Sequence, residues 1–106
     1  MSRREKIEAM LKDEPQDVFL RYSLAMEMSS AGEVEEALEL FSTLANEKPP
    51  HVPAFFRSAQ ILADNDQVNE SRQFLREGIE VARAQGDMHA AGEMSEMLAE
   101  LGSEGE

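Results

Sequence analysis

One offset constrains this chain more than any other property. Moving 34 positions along the sequence takes Ala25 to Ala59 (59 − 25 = 34), Val18 to Val52, Tyr22 to Phe56, Met28 to Leu62 and Val34 to Val68. The same step takes Glu36 to Glu70, Ala37 to Ser71, Leu40 to Phe74, Phe41 to Leu75 and Leu44 to Gly78. Size and polarity persist at nearly every pair. A fixed period of this length means stacked copies of one supersecondary unit, each of which cannot bury its apolar face alone.

The unit itself reads as two helices and a sharp turn. Asp17 is placed to cap the first, its side-chain oxygen accepting from free backbone N–H groups. Leu20, Leu24 and Met28 then share one face, with Ala25 beside Leu24. Gly32 supplies the permissive backbone for a tight stop. Val34, Ala37, Leu38, Phe41, Leu44 and Ala45 recur at three and four, so a second amphipathic helix starts near Glu33. Glu33, Glu35 and Glu36 suit the positive end of its dipole, and Pro49-Pro50 ends the unit. A turn this short forces the helices antiparallel. Ala25 and Ala37 then let the backbones approach closely. In the second copy Pro53 falls in the first helical turn, where its missing N–H costs least. The turn there is Asp64-Asn65-Asp66 in place of glycine.

These positions resemble the tetratricopeptide repeat family. Its motif has small residues on both helices, an aromatic late in the second and a proline at the repeat end. Here those are Ala25, Ala37, Phe41 and Pro49, then Ala59, Ser71, Leu75 and Gly78. Arg83 stands near the second closing proline, so that trailing helix is expected to run on to about Gln85. Residues 3 to 12 match the trailing helix of a preceding unit, with Ile7 at the aromatic position and Pro15 closing it. Ala91, Met94, Ser95, Leu98 and Leu101 match the leading helix of a following unit, once the second unit is taken as about two residues longer than 34. Glu93, Glu96 and Glu100 are expected outward on it, as a polar cap.

The resemblance implies an all-α fold, a right-handed superhelical stack of antiparallel helix hairpins with six helices. It would form one domain over residues 1–102. This divides into a half-repeat at 3–15, repeats at 16–49 and 50–86, a capping helix at 87–101 and a flexible tail at 102–106.

Charge and composition narrow the function. Ten Lys and Arg against 22 Asp and Glu leave a net charge of −12. That surface repels a phosphate backbone or an anionic membrane and steers basic partners. Charge is also uneven. Arg3, Arg4 and Lys6 open the chain, and after Arg83 there is no basic residue, only Asp87 and a series of glutamates. These ends either attract one another between copies or stand as two solvated ends. No cysteine is present, so disulfides and thiolate metal sites are excluded. No apolar run reaches the ~20 residues of a membrane span, and the first residues lack the apolar stretch of a signal peptide. A cytoplasmic location is the default expectation.

No catalytic constellation stands out. His51 and His89 are the two histidines, with no convergent ligand spacing around either. No phosphate loop or nucleophile elbow occurs. The reading is of a non-enzyme with no cofactor and no metal. More informative are the apolar residues left over once the core is assigned. Phe19, Tyr22 and Met26 form a second face on the first leading helix, and Phe56, Gln60 and Ala63 follow the same register on the second. A second apolar stripe needs a partner, either the neighbouring unit or a ligand. In the family resembled, this face lines a concave groove. Phe19, Tyr22, Met26 and Ser29 would line it here, with Phe56, Arg57, Gln60 and Ala63.

Chaperone-binding relatives clamp a terminal carboxylate there with lysine and asparagine. Tyr22, Met26 and Arg57 stand at such positions in this chain, which argues against that ligand. The expected function is a protein-interaction module binding an apolar or basic peptide or partner surface. The alternative is a homo-oligomerisation or assembly module, in which the groove or a free terminal helix pairs two copies as a homodimer.

Overall fold

The computed structural model describes the backbone of residues 2–105 and the side chains of residues 2–102. Six helices follow one another: α1 (Arg3–Asp13), α2 (Val18–Ser30), α3 (Val34–Ala45), α4 (Val52–Asp64), α5 (Val68–Ala84) and α6 (Met88–Gly105). No strand occurs among the described residues. Each helix packs chiefly on its neighbours in sequence, and α4 also touches α6. The result is an all-α stack of helical hairpins measuring 45 × 30 × 18 Å.

The helix boundaries follow from local chemistry. Ser2 and Glu5 form a reciprocal cap on α1: the Glu5 N–H donates to Ser2 Oγ (3.1 Å) and the Ser2 N–H to Glu5 Oε1 (3.0 Å). The Leu20 N–H donates to Asp17 Oδ1 at 2.9 Å, and the Ala90 N–H to Asp87 Oδ1 at 3.1 Å. Three helices, α2, α4 and α5, end in the same way. Gly32, Asp66 and Gly86 lie in the left-handed region at φ of 82°, 62° and 76°. The next residue's N–H then reaches back to a carbonyl of the last turn: Glu33 to Met28 (2.9 Å), Gln67 to Leu62 (2.8 Å) and Asp87 to Ala82 (2.8 Å). This closure satisfies carbonyls that the helix leaves open and reverses the chain at once.

Between paired helices the contact is close. Ala25 and Ala37 are fully buried where α2 meets α3, with Phe41 and Leu44 beside them. In the next unit Ala59 keeps its place, and Ser71 replaces the alanine. Ser71 Oγ donates to the Ala59 carbonyl at 2.7 Å, so the buried hydroxyl is satisfied by the opposite helix. Gly78 replaces Leu44 for a steric reason. A Cβ there would come within 2.7 Å of Phe55 Cβ and 2.6 Å of Met94 Sδ. Phe55 and Met94 fill the room that Leu44 occupies one unit earlier.

The C-terminal helix carries two findings. Gly102 does not end it: α6 continues to Gly105, within the segment expected as a separate tail, and Glu106 lies outside the described residues. Arg72 of α5, buried, donates from Nη2 to the Leu101 carbonyl (3.0 Å) and from Nη1 to Asn69 Oδ1 (3.1 Å). Periodicity did not single out this residue, because an arginine reads as solvated until its neighbour is known.

Candidate interaction groove

The leading helices α2, α4 and α6 together shape one concave depression of about 630 Å³. Its apolar lining is Met26, Phe41, Phe56, Ile61 and Met97, and its polar lining is Ser29, Ser30, Arg57, Gln60, Asp64, Glu93, Glu96 and Glu100. The repeat explains why these residues converge. A shift of 36 takes Arg57 to Glu93 (93 − 57 = 36), Gln60 to Glu96, Ile61 to Met97 and Asp64 to Glu100. A shift of 34 takes Met26 to Gln60 and Ser30 to Asp64. Each helix therefore presents the same positions, and stacking sets them side by side.

Five of the eight residues expected in a groove meet here: Met26, Ser29, Phe56, Arg57 and Gln60. The other three do not line this depression. Phe19 is largely exposed and borders a shallow hollow with Met10, Asp13, Glu14, Asp17 and Leu20, at the α1 end of the stack. Tyr22 is half-buried, edge-on to Phe41 (centroids 5.4 Å apart) and to His51 (5.1 Å). It therefore packs where α2 meets the start of the next unit. Ala63 is half-buried against the core. Only the later turns of α2 reach the depression, which is why Phe19 and Met26 part company although they share a helix face.

The third wall is the part that composition concealed. Glu93, Glu96 and Glu100 are exposed, as expected of a cap, yet they stand on the depression's rim. The 36-residue register was a signal capable of placing them there.

The electrostatics are lopsided. Asp64, Glu93, Glu96 and Glu100 contribute four carboxylates, against the one guanidinium of Arg57. Arg57 Nη1 donates to Gln60 Oε1 at 3.1 Å. His89 Nε2 lies 3.3 Å from Glu93 Oε1, an ion pair only when the imidazole is protonated. Away from the groove, Arg4 pairs with the Glu33 carboxylate, tying α1 to the start of α3. This hydrogen-bonded pairing lowers the Glu33 pKa and raises that of Arg4. Burial, with the nearby Arg21 charge adding to it, lowers the pKa of His51, so its neutral form is favoured. Arg21 itself is paired with Glu47. Among the described residues, no group of three or more His, Asp or Glu is placed to hold a metal ion, and no helix is long and apolar enough to cross a membrane.

No protein-family model matches the sequence, and no curated protein does. Solved structures do match. A tetratricopeptide repeat domain protein from Salinibacter ruber, determined by NMR, is 28% identical, with a TM-score of 0.77 over 82% of this chain and 88% of that one. A crystal structure of a tetratricopeptide repeat domain protein from the same organism is 26% identical, with a TM-score of 0.75 over 83% and 98% of the two chains. A Bordetella parapertussis protein, 22% identical, has a TM-score of 0.83 over 98% and 90%, a likeness of fold.

Proposed function

From a chain with the tetratricopeptide repeat fold, we propose a non-catalytic, cytoplasmic protein-interaction module that holds a basic, apolar-studded segment of a partner protein in the groove of α2, α4 and α6. The fold is one that generally serves protein–protein contact. The observation that carries the finer reading is the make-up of the groove: apolar side chains from all three helices, with four carboxylates against one guanidinium. Apolar lining rewards apolar anchors through burial. The carboxylates select for lysine or arginine between those anchors and disfavour an acidic segment, since like charges across an interface are costly. A groove along three helices, with apolar side chains set among carboxylates, suits a peptide that lies across them or a short amphipathic helix with anchors at three- and four-residue spacing.

The test uses two labelled peptides of equal length and hydrophobicity, one alternating leucine with lysine and the other leucine with glutamate, titrated by fluorescence anisotropy. The lysine peptide should bind, weaken as salt rises, and lose about tenfold in affinity against Asp64→Lys. Phe56→Ala should weaken it further while the far-UV circular dichroism stays helical. Equal affinity for the two peptides, or binding indifferent to both substitutions, would remove this reading.

A further inference from the structure

The two full units meet at a joint outside the groove, and a histidine stands in it. His51 opens α4 and is fixed by its own backbone. Its N–H donates to the Leu44 carbonyl near the end of α3 (3.0 Å), and its carbonyl accepts from the Ala54 N–H (3.1 Å). The imidazole makes no cap bond to α4. It lies instead edge-on to Tyr22 of α2, with centroids 5.1 Å apart, and Tyr22 lies edge-on to Phe41 of α3 at 5.4 Å. Phe41 is one of the residues that line the groove. A continuous run of rings therefore leads from the joint to the groove.

The joint suits a neutral imidazole and not a charged one. His51 is half-buried. From α2, Arg21 already brings a guanidinium, which pairs with Glu47 of the α3–α4 connection. That guanidinium is largely shielded from water, and its Nε finds no acceptor among the described residues. A cation on the residue that opens α4 also meets the positive end of the helix dipole. Lys48 of the same connection and Asp87 before α6 line one hollow of about 420 Å³ with His51 and Glu47. Glu47 serves Arg21, and Asp87 caps α6 by accepting from the Ala90 N–H at 3.1 Å. Burial first, and then the Arg21 charge, hold the His51 pKa below its ordinary 6.5.

We propose that His51 is a proton-sensitive pin between the two units: on protonation its ring leaves Tyr22 for water, α4 shifts against α2, and the groove they share loosens its hold on a bound segment. The last step rests on the groove reading, and the earlier ones concern the chain by itself. The folded state takes up this proton less readily than the unfolded chain. The stability that neutral His51 contributes is thus complete above about pH 6.5 and is lost as pH falls below it. Glu5 and Glu33, whose pKa values lie below the ordinary 4.5, keep their charge in that window.

The test has two arms, both in a His89→Gln background. His89 is exposed and its Nε2 lies 3.3 Å from Glu93 Oε1 on the groove rim, so its protonation also weakens a basic ligand. In the first arm the chain alone is followed by nuclear magnetic resonance from about pH 7.5 to about pH 5.5, with urea unfolding at both ends. Cross-relaxation between the His51 and Tyr22 rings should fade as His51 titrates, and the urea midpoint should fall. His51→Phe keeps a ring against Tyr22 and takes up no proton, so its urea midpoint should hold steady. In the second arm the leucine–lysine peptide should bind about threefold more weakly at the lower pH, and equally at both in His51→Phe. Ring contacts that persist through the titration, or a midpoint that falls as far in His51→Phe, overturn the pin. Binding that ignores pH while the rings part overturns its link to the groove. A peptide that never binds while the rings part overturns the groove reading, and the last step with it, but not the pin.

Discussion

Gly78 is where the second unit departs furthest in size from the first, and its neighbours show what that departure permits. Phe55 and Met94 occupy the volume that Leu44 fills one period earlier. Alanine is the better helix former, by about 1 kcal/mol, yet at this position its Cβ would press on Phe55 Cβ at 2.7 Å and Met94 Sδ at 2.6 Å. The methionine end can swing aside. The stem of Phe55 cannot, so the helices must separate, at a cost of about 1–3 kcal/mol. Overpacking therefore outweighs propensity, and Gly78→Ala should lower the midpoint of thermal unfolding. Gly92 on α6 provides the contrast, since a Cβ there meets nothing within 4 Å. Gly92→Ala should leave the midpoint unchanged or raise it. A thermal scan of both variants decides the point, and equal shifts in the same direction would show that propensity alone governs these sites. Ser71 makes the complementary case, in which a polar residue enters the core because the Ala59 carbonyl lies 2.7 Å away.

Among elements, the three left-handed turns are the most uniform feature of the chain, and one of them is made with the less suited residue. Gly32 and Gly86 hold φ of 82° and 76° without a Cβ, whereas Asp66 holds 62° with one. A side chain in this region costs roughly 1–2 kcal/mol, less for aspartate, which visits it more readily than most residues. Glycine would relieve that strain but would also gain freedom in the unfolded chain. The hydrogen bonds at the turn come from backbone N–H groups and from the Asn65 side chain, which donates to the Ile61 carbonyl at 2.8 Å, so they survive the change. Asp66→Gly should therefore stabilise the protein by about 0.5–1 kcal/mol, a rise of a few degrees in the unfolding midpoint. A fall in the midpoint would mean that the aspartate side chain supports the turn in a way its backbone does not reveal. The sequence marked this turn only as Asp64-Asn65-Asp66 in place of glycine; the structure picks out Asp66, one period after Gly32 (66 − 32 = 34), as the residue that meets the same backbone demand. Sequence reasoning did not reach Arg72, whose bond to the Leu101 carbonyl joins residues 29 apart in sequence.

At the scale of the whole molecule, what was legible depended on whether the cause was local or arose from stacking. Ala25, Ala37, Phe41, Ala59 and Leu75 announced the core, because helical spacing alone sets them on one face and each proves fully buried. The groove depends on how three helices lie side by side, so Phe19 and Met26 could share a stripe and still end at different places. The same stacking makes stability uneven, since terminal units of such arrays have a neighbour on one side only. α1 packs on α2, and Ile7 is its one buried residue. The Arg4–Glu33 pair that helps to hold α1 is at the surface, where ion pairs contribute little. By contrast α5 carries Ser71, Leu75, Gly78, Ile79 and Ala82 into contact with both α4 and α6. Deleting the Ile7 side chain beyond Cβ removes contacts worth about 2–5 kcal/mol where the site cannot collapse, and α1 has little else with which to compensate. Ile7→Ala should therefore release α1 while the helices from α2 onward stay folded. Amides of residues 4–13 would exchange hydrogen at the rate of an unfolded chain, and those of α4 and α5 would keep their protection. The helical circular dichroism would fall by the share of the 11 residues of α1. If protection instead drops together along the entire chain, α1 belongs to one cooperative unit with the rest, and the stack does not unfold from its end.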